Sequence, residues 1–457
     1  MRFTQGNQED RSENSDCVTQ SFSIFDREPV DDIIIDRRQC EAQTSSGIQG
    51  SGPFEIIIHS EKKTYIDPTS IRVNASFRIK KKNTTTNALD VIDTMPEDMV
   101  NLTVAPVNQL SKSIFKSVEV ELENTPISLN ASDSYAVESY ISTMLSYNKS
   151  AVNKSLRCSY FEKDTPGKYD TLSANVGAQK RAKWIAGSPI IHICDTINTE
   201  LTSASRYIVP GVSIKFRFIV DKPSAFLITK TATDEYAIEF SDISVTYDRV
   251  LIKDDLHNKL ERDLLVTPAR YVVGRNEIRT KAFPTGLTSL QWNNAYQGTL
   301  PDAVGIYMNS LMAADSDPTK NIFNFQHFGM SECNMWVNSR KVTVKDLAYD
   351  FSGKQAIRAF RHFWDNVGDA PGMDGSMVEY EDFLDGYCCA MFDLTGNKTA
   401  MYRNHFQPEG TVSVDIKLKT ASDQAINMYF IAFYKEEFFI YGPNENRRVS
   451  FTKPKKI

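Results

Sequence analysis

The 457-residue sequence is poor in the groups on which most catalysis and most secretion depend. It has seven cysteines, Cys17, Cys40, Cys158, Cys194, Cys333, Cys388 and Cys389, with one adjacent pair and wide gaps elsewhere. No C-x-x-C spacing occurs, so neither a zinc site nor a disulfide framework is expected, and the thiols are expected to be reduced and mostly buried. There are six histidines, His59, His192, His257, His327, His362 and His405, none in H-E-x-x-H or H-x-H spacing. The sequence therefore predicts no metal ligands, and it has neither a G-x-S-x-G elbow nor a phosphate loop. The longest strongly apolar run is MYFIAFY, Met428 to Tyr434, whereas a bilayer-spanning helix needs about 20 apolar residues. The start, MRFTQGNQEDRSENSD, lacks the apolar core of a signal peptide, which predicts an intracellular product made without secretion. On that expectation the sequons at Asn83 and Asn148 are chance matches.

Positive charge is also short where nucleic acid would need it. The net charge is −6, and the first fifty residues hold ten Asp/Glu against five Arg. An arm that neutralises phosphates needs the opposite sign, so no sequence-specific nucleic-acid binding is expected. The C-terminal basic cluster, KPKKI, reads as a solvated tail.

What the chain does have is β pattern. Residues 1–52 are polar apart from DDIIID (Asp31 to Asp36) and read as a partly flexible arm. GIQGSG (Gly47 to Gly52) runs into a strand rather than a helix and reads as a hinge. Strands are predicted at FEIIIHS and at SIRVNASFRIK, and at VEVELE with Val118, Val120 and Leu122 on one face and glutamates on the other. Asn124-Thr-Pro126 ends that strand, because proline cannot donate to a ladder. Ser132, Asp133 and Ser134 are candidate caps for a helix carrying Val137, Tyr140, Ile141, Met144 and Leu145 on one face.

The pattern then recurs. GVSIKFRF (Gly211 to Phe218) is echoed by TVSVDIKL (Thr411 to Leu418), and VEVELENTPI by CNMWVNSRKV (Cys333 to Val342). SIRVNASFRI is likewise echoed by DISVTYDRVLI. The second copy also continues into a helical stretch, KQAIRAFRHFWDNVG, with Ile357, Phe360, Trp364 and Val367 on one stripe. A tandem duplication is the simplest account. Each copy, of about 180 to 220 residues with about eight strands and no regular strand–helix alternation, predicts an all-β fold of two eight-stranded jelly-roll sandwiches with short helices in the loops. The predicted division is an arm at 1–52, a first jelly roll at 53–233, a second at 234–450 and a basic tail at 451–457.

At this point the chain resembles a known family. GPFEIIIHSEKKTYIDPTSIRVNASFRI, VNQLSKSIFKSVEVELENTPIS with YAVESYISTMLSYN, YQGTLPDAVGIYMNS, NIFNFQHFGMSECNMWVNSRKV, MFDLTGNKT and FYKEEFFIYGPNENRRV are similar, in that order, to double jelly-roll major capsid proteins. The closest likeness is to the Polinton/Maverick and adintovirus-like group of double-stranded DNA viruses and elements. The final IYGPNENRRV departs from it, with Gly-Pro where an acidic strand residue is expected. The resemblance implies a non-enzymatic structural protein without cofactor, forming homotrimeric, pseudo-hexameric capsomers in an icosahedral virion. It also implies contacts with neighbouring capsomers and with penton and minor capsid proteins, assembly being nuclear or cytoplasmic. Trimer contacts are expected at Ala282 to Asn309 and Arg157 to Gly187, both rich in aromatics, Gly and Pro, and DDIIID is the candidate strap between capsomers.

Two other classes were weighed. An enzyme has only His362 near Asp365 to recommend it, and a surface pair accounts for that spacing; with 58 acidic residues, carboxylate pairs suited to glycoside hydrolysis arise by chance. A β-sandwich carbohydrate-binding module would need exposed aromatic platforms. Of the four tryptophans, Trp336 and Trp364 are expected in the core, while Trp184 and Trp292 stay open.

Overall fold

In a computed structural model of the chain the described residues are 33–45, 47–48, 52–128, 134–342, 347–351, 353, 355–367, 376–396, 400 and 407–451. Ser132, Asp133, His405, Cys17, residues 1–32 of the arm and 452–457 of the basic tail lie outside them.

Among the described residues sixteen main strands, with shorter ones at the sheet edges, build two antiparallel sandwiches. The first uses β1 (Ile34–Gln43), β2 (Phe54–Ile58), β3 (Thr64–Lys82), β4 (Phe115–Leu122), β5 (Thr125–Pro126), β6 (Ile191–Thr196), β7 (Ile214–Val220) and β8 (Glu235–Ile252). One sheet runs β1-β8-β3-β6 and the facing sheet β2-β7-β4-β5. The second sandwich uses β9 (Ala269–Phe283), β10 (Ser289–Thr299), β11 (Ala303–Ser310), β12 (Met330–Val337), β13 (Arg340–Lys341), β14 (Cys389–Asp393), β15 (Glu409–Leu418) and β16 (Ile426–Tyr441). Its sheets run β9-β16-β11-β14 and β10-β15-β12-β13. Strand for strand the order is the same, first-eighth-third-sixth against second-seventh-fourth-fifth. The chain is therefore a double jelly roll, as the duplicated pattern predicts.

The cause is visible in the alternation. Along β4, Val118, Val120 and Leu122 are buried while Glu119 and Glu121 face out. Ile214, Phe216 and Phe218 of β7 meet them from the neighbouring strand, and Val412, Val414, Ile416 and Leu418 do the same in β15. Burying one such side chain contributes about 1.5–3 kcal/mol, which drives the two sheets together. The turn after β4 is Glu123-Asn124, both left-handed (φ 44° and 61°), and the turn after β12 is Asn338-Ser339, also left-handed (φ 48° and 66°). Paired left-handed residues make the tight hairpin whose twist suits antiparallel strands. The strand thus ends at Glu123-Asn124, before Pro126, which sits in edge strand β5 opposite Glu121.

Several expectations are corrected. The arm does not extend to 52, because Ile34–Gln43 is β1, paired with β8 from Gln43↔Ser244 to Ile34↔Ile252. This edge strand is charged and mostly exposed, and Arg37 ties it down through Asp67 (2.6 Å) and Asp248 (2.8 Å). The second unit does not begin at 234, because Glu235–Ile252 is the strand between β1 and β3 in the first. SIRVNASFRI and DISVTYDRVLI are therefore neighbours in one sheet (Val73↔Val245), not copies of each other. The Ala282 to Asn309 segment expected in trimer contacts is the end of β9, then β10 and β11. The basic tail does not start at 451: Phe451 packs against the core, with the Arg275 guanidinium 5.2 Å above its ring.

Four helices of ten or more residues are present among the described residues: α1 (Tyr135–Ser146), α2 (Val176–Ile185), α3 (Asp254–Val266) and α4 (Ile357–Val367). In α1, Val137, Tyr140, Ile141, Met144 and Leu145 are buried as predicted. In α4 the stripe is rotated: Phe363 and Val367 are buried, Phe360 and Trp364 half-buried, and Ile357 is 58% exposed.

Candidate assembly surfaces and the seam between the sandwiches

The two sandwiches meet along a seam. The first contributes α1, the segment after β5 and the loop from Asn198 to Pro210. The second contributes β9, β16 and the loops that follow β11 and α4. Tyr140 of α1 stacks on Phe323 at 4.2 Å between ring centroids and 13° between planes. Phe325, Tyr387 and Tyr307 extend that aromatic cluster into the second sandwich. The Met144 carbonyl accepts from Ser376 Oγ (2.9 Å) and from the Met377 amide (3.2 Å).

Polar groups in the seam are mostly paired. Arg275 of β9, 2% exposed, donates to the Ile127 carbonyl (2.8 Å) and pairs with Glu436, while Glu200 lies 3.9 Å from its Nε. Glu138 Oε1 accepts from Asn276 (3.1 Å), and burial, aided by the neighbouring Glu200, pushes its carboxyl up to about 8. Burial also raises Glu200, against the opposing pull of Arg275. Arg447 donates to the Pro210 carbonyl and to both oxygens of Glu261 (2.5 and 2.7 Å). Lys163 bridges Glu379 (3.0 Å) and the buried Asp382 (2.6 Å). Gly211 (φ +83°) passes so close to Asn444 that a Cβ would lie 2.3 Å from its carbonyl oxygen.

The segment Arg157 to Gly187 is built inward rather than displayed. Arg181 and Asp164, both fully buried, pair at 2.5 Å, and Arg181 also donates to the Pro106 and Glu162 carbonyls. Asp170 accepts from the Asn321 amide and Asn324 across the seam, and the Gly167 amide donates to the Asp385 carbonyl. Trp184 lies under Arg157 (5.0 Å) and against Tyr160. Trp292 packs on Phe430 and Trp364 on Phe360. Trp336 is not in the core. It is half-buried on the outward face of β12 and lines a groove there.

Among the described residues the histidines lie apart from one another. His362 contacts Asn366 (3.2 Å) and the Phe392 ring, while Asp365 pairs with Arg361 (2.8 Å). His257 meets Tyr65, His192 meets Ser76, and His327 stacks on Phe351. Among the described residues no group of three or more His, Cys, Asp or Glu is placed to hold a metal ion, and no helix is long and apolar enough to cross a membrane.

Exposed apolar side chains stand on both faces that the seam leaves open, as they do at Leu265 and Val266 at the end of α3. Along β1 and just before it, Ile33 and Ile35 are 46% and 60% exposed, and on α4 Ile357 stands out. Sequence reasoning placed the first in the DDIIID strap between capsomers and read the second as part of a core stripe.

No protein-family model matches this chain, and no curated protein does. Solved structures do. A chain in the cryo-EM structure of the Sputnik virophage matches with a TM-score of 0.59 at 11% identity, over 98% of this chain and 93% of that one. The Faustovirus major capsid protein matches with a TM-score of 0.53 at 8% identity, over 94% of each. The mavirus major capsid protein matches with a TM-score of 0.51 at 10% identity, over 98% of this chain and 95% of that one. The likeness runs through both sandwiches and places this chain in the double jelly-roll fold.

Proposed function

We propose that this chain is the major capsid protein of a double-stranded DNA virus or virus-like element of the Polinton/Maverick and adintovirus kind. Its working form is a homotrimer presenting six similar wedges, which tile an icosahedral shell. The units are β1 to β8, ending at Ile252, and β9 to β16, beginning at Ala269, with α3 as the link.

The observation that carries this reading is the seam. It joins the α1 face of one jelly roll to the first- and eighth-strand edge (β9 and β16) of the next. After one such contact, the second unit still presents its own helix α4, and the first still presents its own edge, β1 and β8. Repeating the same contact between chains closes a ring of three chains and six wedges. The surfaces that must meet are those exposing Ile357 and Ile33 with Ile35, as an obligate apolar contact requires. The full-length match to the Faustovirus and mavirus major capsid proteins supports the same reading. Residues 1–32 then serve as a strap to neighbouring capsomers or to minor proteins, and penton proteins fill the fivefold positions.

Light scattering on the purified chain tests the trimer. Three chains of 51.7 kDa give a particle of about 155 kDa, and a stable 51.7 kDa monomer at micromolar concentration contradicts it.

A further inference from the structure

We propose that the outward face of the sheet β10-β15-β12-β13 is a binding site for a neutral saccharide. The argument starts from a difference between the two copies. In the first jelly roll the equivalent face carries a charged ladder. One row across the sheet is Glu55, Arg217, Glu119, and the next is Ile57, Lys215, Glu121. The charges in it satisfy one another: Arg217 meets Glu119 and Glu55, and Lys215 meets Glu55 and Glu121.

The matching hairpins align Glu119 and Glu121 with Asn334 and Trp336. Across the sheet, Arg217 and Lys215 then correspond to Asp415 and Ser413, the cross-strand partners of Asn334 and Trp336. On the third strand Glu55 corresponds to Gln291, opposite Asp415. The ladder of ion pairs has become a platform of one indole, two amides, a hydroxyl and a carboxylate, with the Lys341 ammonium 5.9 Å from the indole centroid on the neighbouring strand. Beside it, β10 leaves the ladder between Trp292 and Tyr296, which pushes Asn293 and Asn294 outward, and Asn294 anchors its amide on Ser413 Oγ (3.1 Å).

Of these, Trp336, Gln291, Asn293, Asn294, Ser413 and Asp415 line a groove of about 460 Å³. Its chemistry suits a sugar. A pyranose offers an apolar C–H face to an indole, and pairs of hydroxyls to amides and carboxylates that can donate and accept in one plane. The exposed amides of Gln291 and Asn293 and the carboxylate of Asp415 surround Trp336 in that way. Asn334, 3% exposed in the same row beside Asp415, has an Oδ1 with no hydrogen-bond partner. Asp415 in the floor disfavours acidic sugars. Ring closure leaves the platform open, because the intramolecular seam leaves Glu121, Lys215 and Arg217 at 36%, 32% and 43% exposure on the equivalent face. Repetition over a multimer would convert a weak single-site affinity into strong attachment.

The test is a microarray of neutral oligosaccharides probed with the full-length protein, followed by calorimetry on each hit. The expected result is binding that falls about tenfold or more in Trp336→Ala and is kept in Trp336→Tyr and in Lys215→Ala. Ser413→Lys, a change at a half-buried groove residue that places an ammonium in the groove, should abolish binding if Trp336→Ala does not fold. Absence of any neutral ligand at about 10 mM, affinity unchanged in Trp336→Ala and Ser413→Lys, or binding confined to sulfated or sialylated glycans would overturn the proposal. It stands or falls independently of trimer formation, since the site lies within one chain.

Discussion

Replacing Glu138 by Gln should make the protein more stable at mildly alkaline pH and leave it unchanged in acid. In the folded chain the Glu138 carboxyl is lifted from 4.5 to about 8, by burial first and by Glu200 second, while Asn276 donates to it from the other sandwich. Arg275, which faces the same cluster, is engaged by Glu436 and by the Ile127 carbonyl. With a folded-state pKa above the unfolded one, full stability is present below about pH 4.5. It is lost as pH rises toward 8, because only the unfolded chain ionises freely. A rise of about 3.5 units at 1.36 kcal/mol each sets a ceiling on the order of 5 kcal/mol. Gln keeps the acceptor for Asn276 and cannot ionise. Urea titrations of both proteins at about pH 4.5, 6, 7 and 8.5 measure the difference. The two should coincide in acid and diverge steadily, with the variant ahead by a few kcal/mol at the alkaline end. A constant offset across that range, or a variant less stable at high pH, would refute the buried-carboxyl account of the seam.

Tyr140→Ala removes the ring stacked on Phe323 and should lower stability by about 3–5 kcal/mol in thermal or chemical unfolding, with a coupling of about 0.5–1.5 kcal/mol to Phe323→Ala in a double-mutant cycle. Asp164→Ala leaves the Arg181 guanidinium buried without its carboxylate, and the loss should be about 3–5 kcal/mol by the same measurement. Ile357→Glu and Ile35→Glu change exposed side chains, so circular dichroism should hold while the mass by light scattering falls from trimer to monomer and melting drops by the stabilisation that association supplied.

The strands that the sequence made legible are those with one face in and one face out. Val118, Val120 and Leu122 alternate with glutamates because β4 has the core on one side and water on the other. The same holds for β7 and β15, and α1 is legible because its apolar face is continuous. Strands in other environments were not. β1 is an edge strand held by backbone pairing and by Arg37, so it has no apolar stripe to read. β11 is buried on both faces, since Tyr307 meets Phe325 and Tyr387 of its own sandwich beneath the seam, and its alternation vanishes. β8 was placed in the wrong unit because two strands side by side in a sheet share a pattern as closely as two copies of one strand. Even the true echo is shifted: the hairpins align β7 and β15 two residues away from the match of GVSIKFRF with TVSVDIKL, a slip that keeps every side chain on its face. Trp336 misled for a related reason. An indole in a strand reads as core, yet its parity puts it on the outward face.

Electron microscopy of the purified protein viewed along its symmetry axis tests most directly the claim that a doubled sandwich lets three chains imitate sixfold packing. The account predicts class averages showing a closed ring of six similar lobes with threefold symmetry and a hexagonal outline. Isolated two-lobed particles, or closed rings with any other number of lobes, would contradict it.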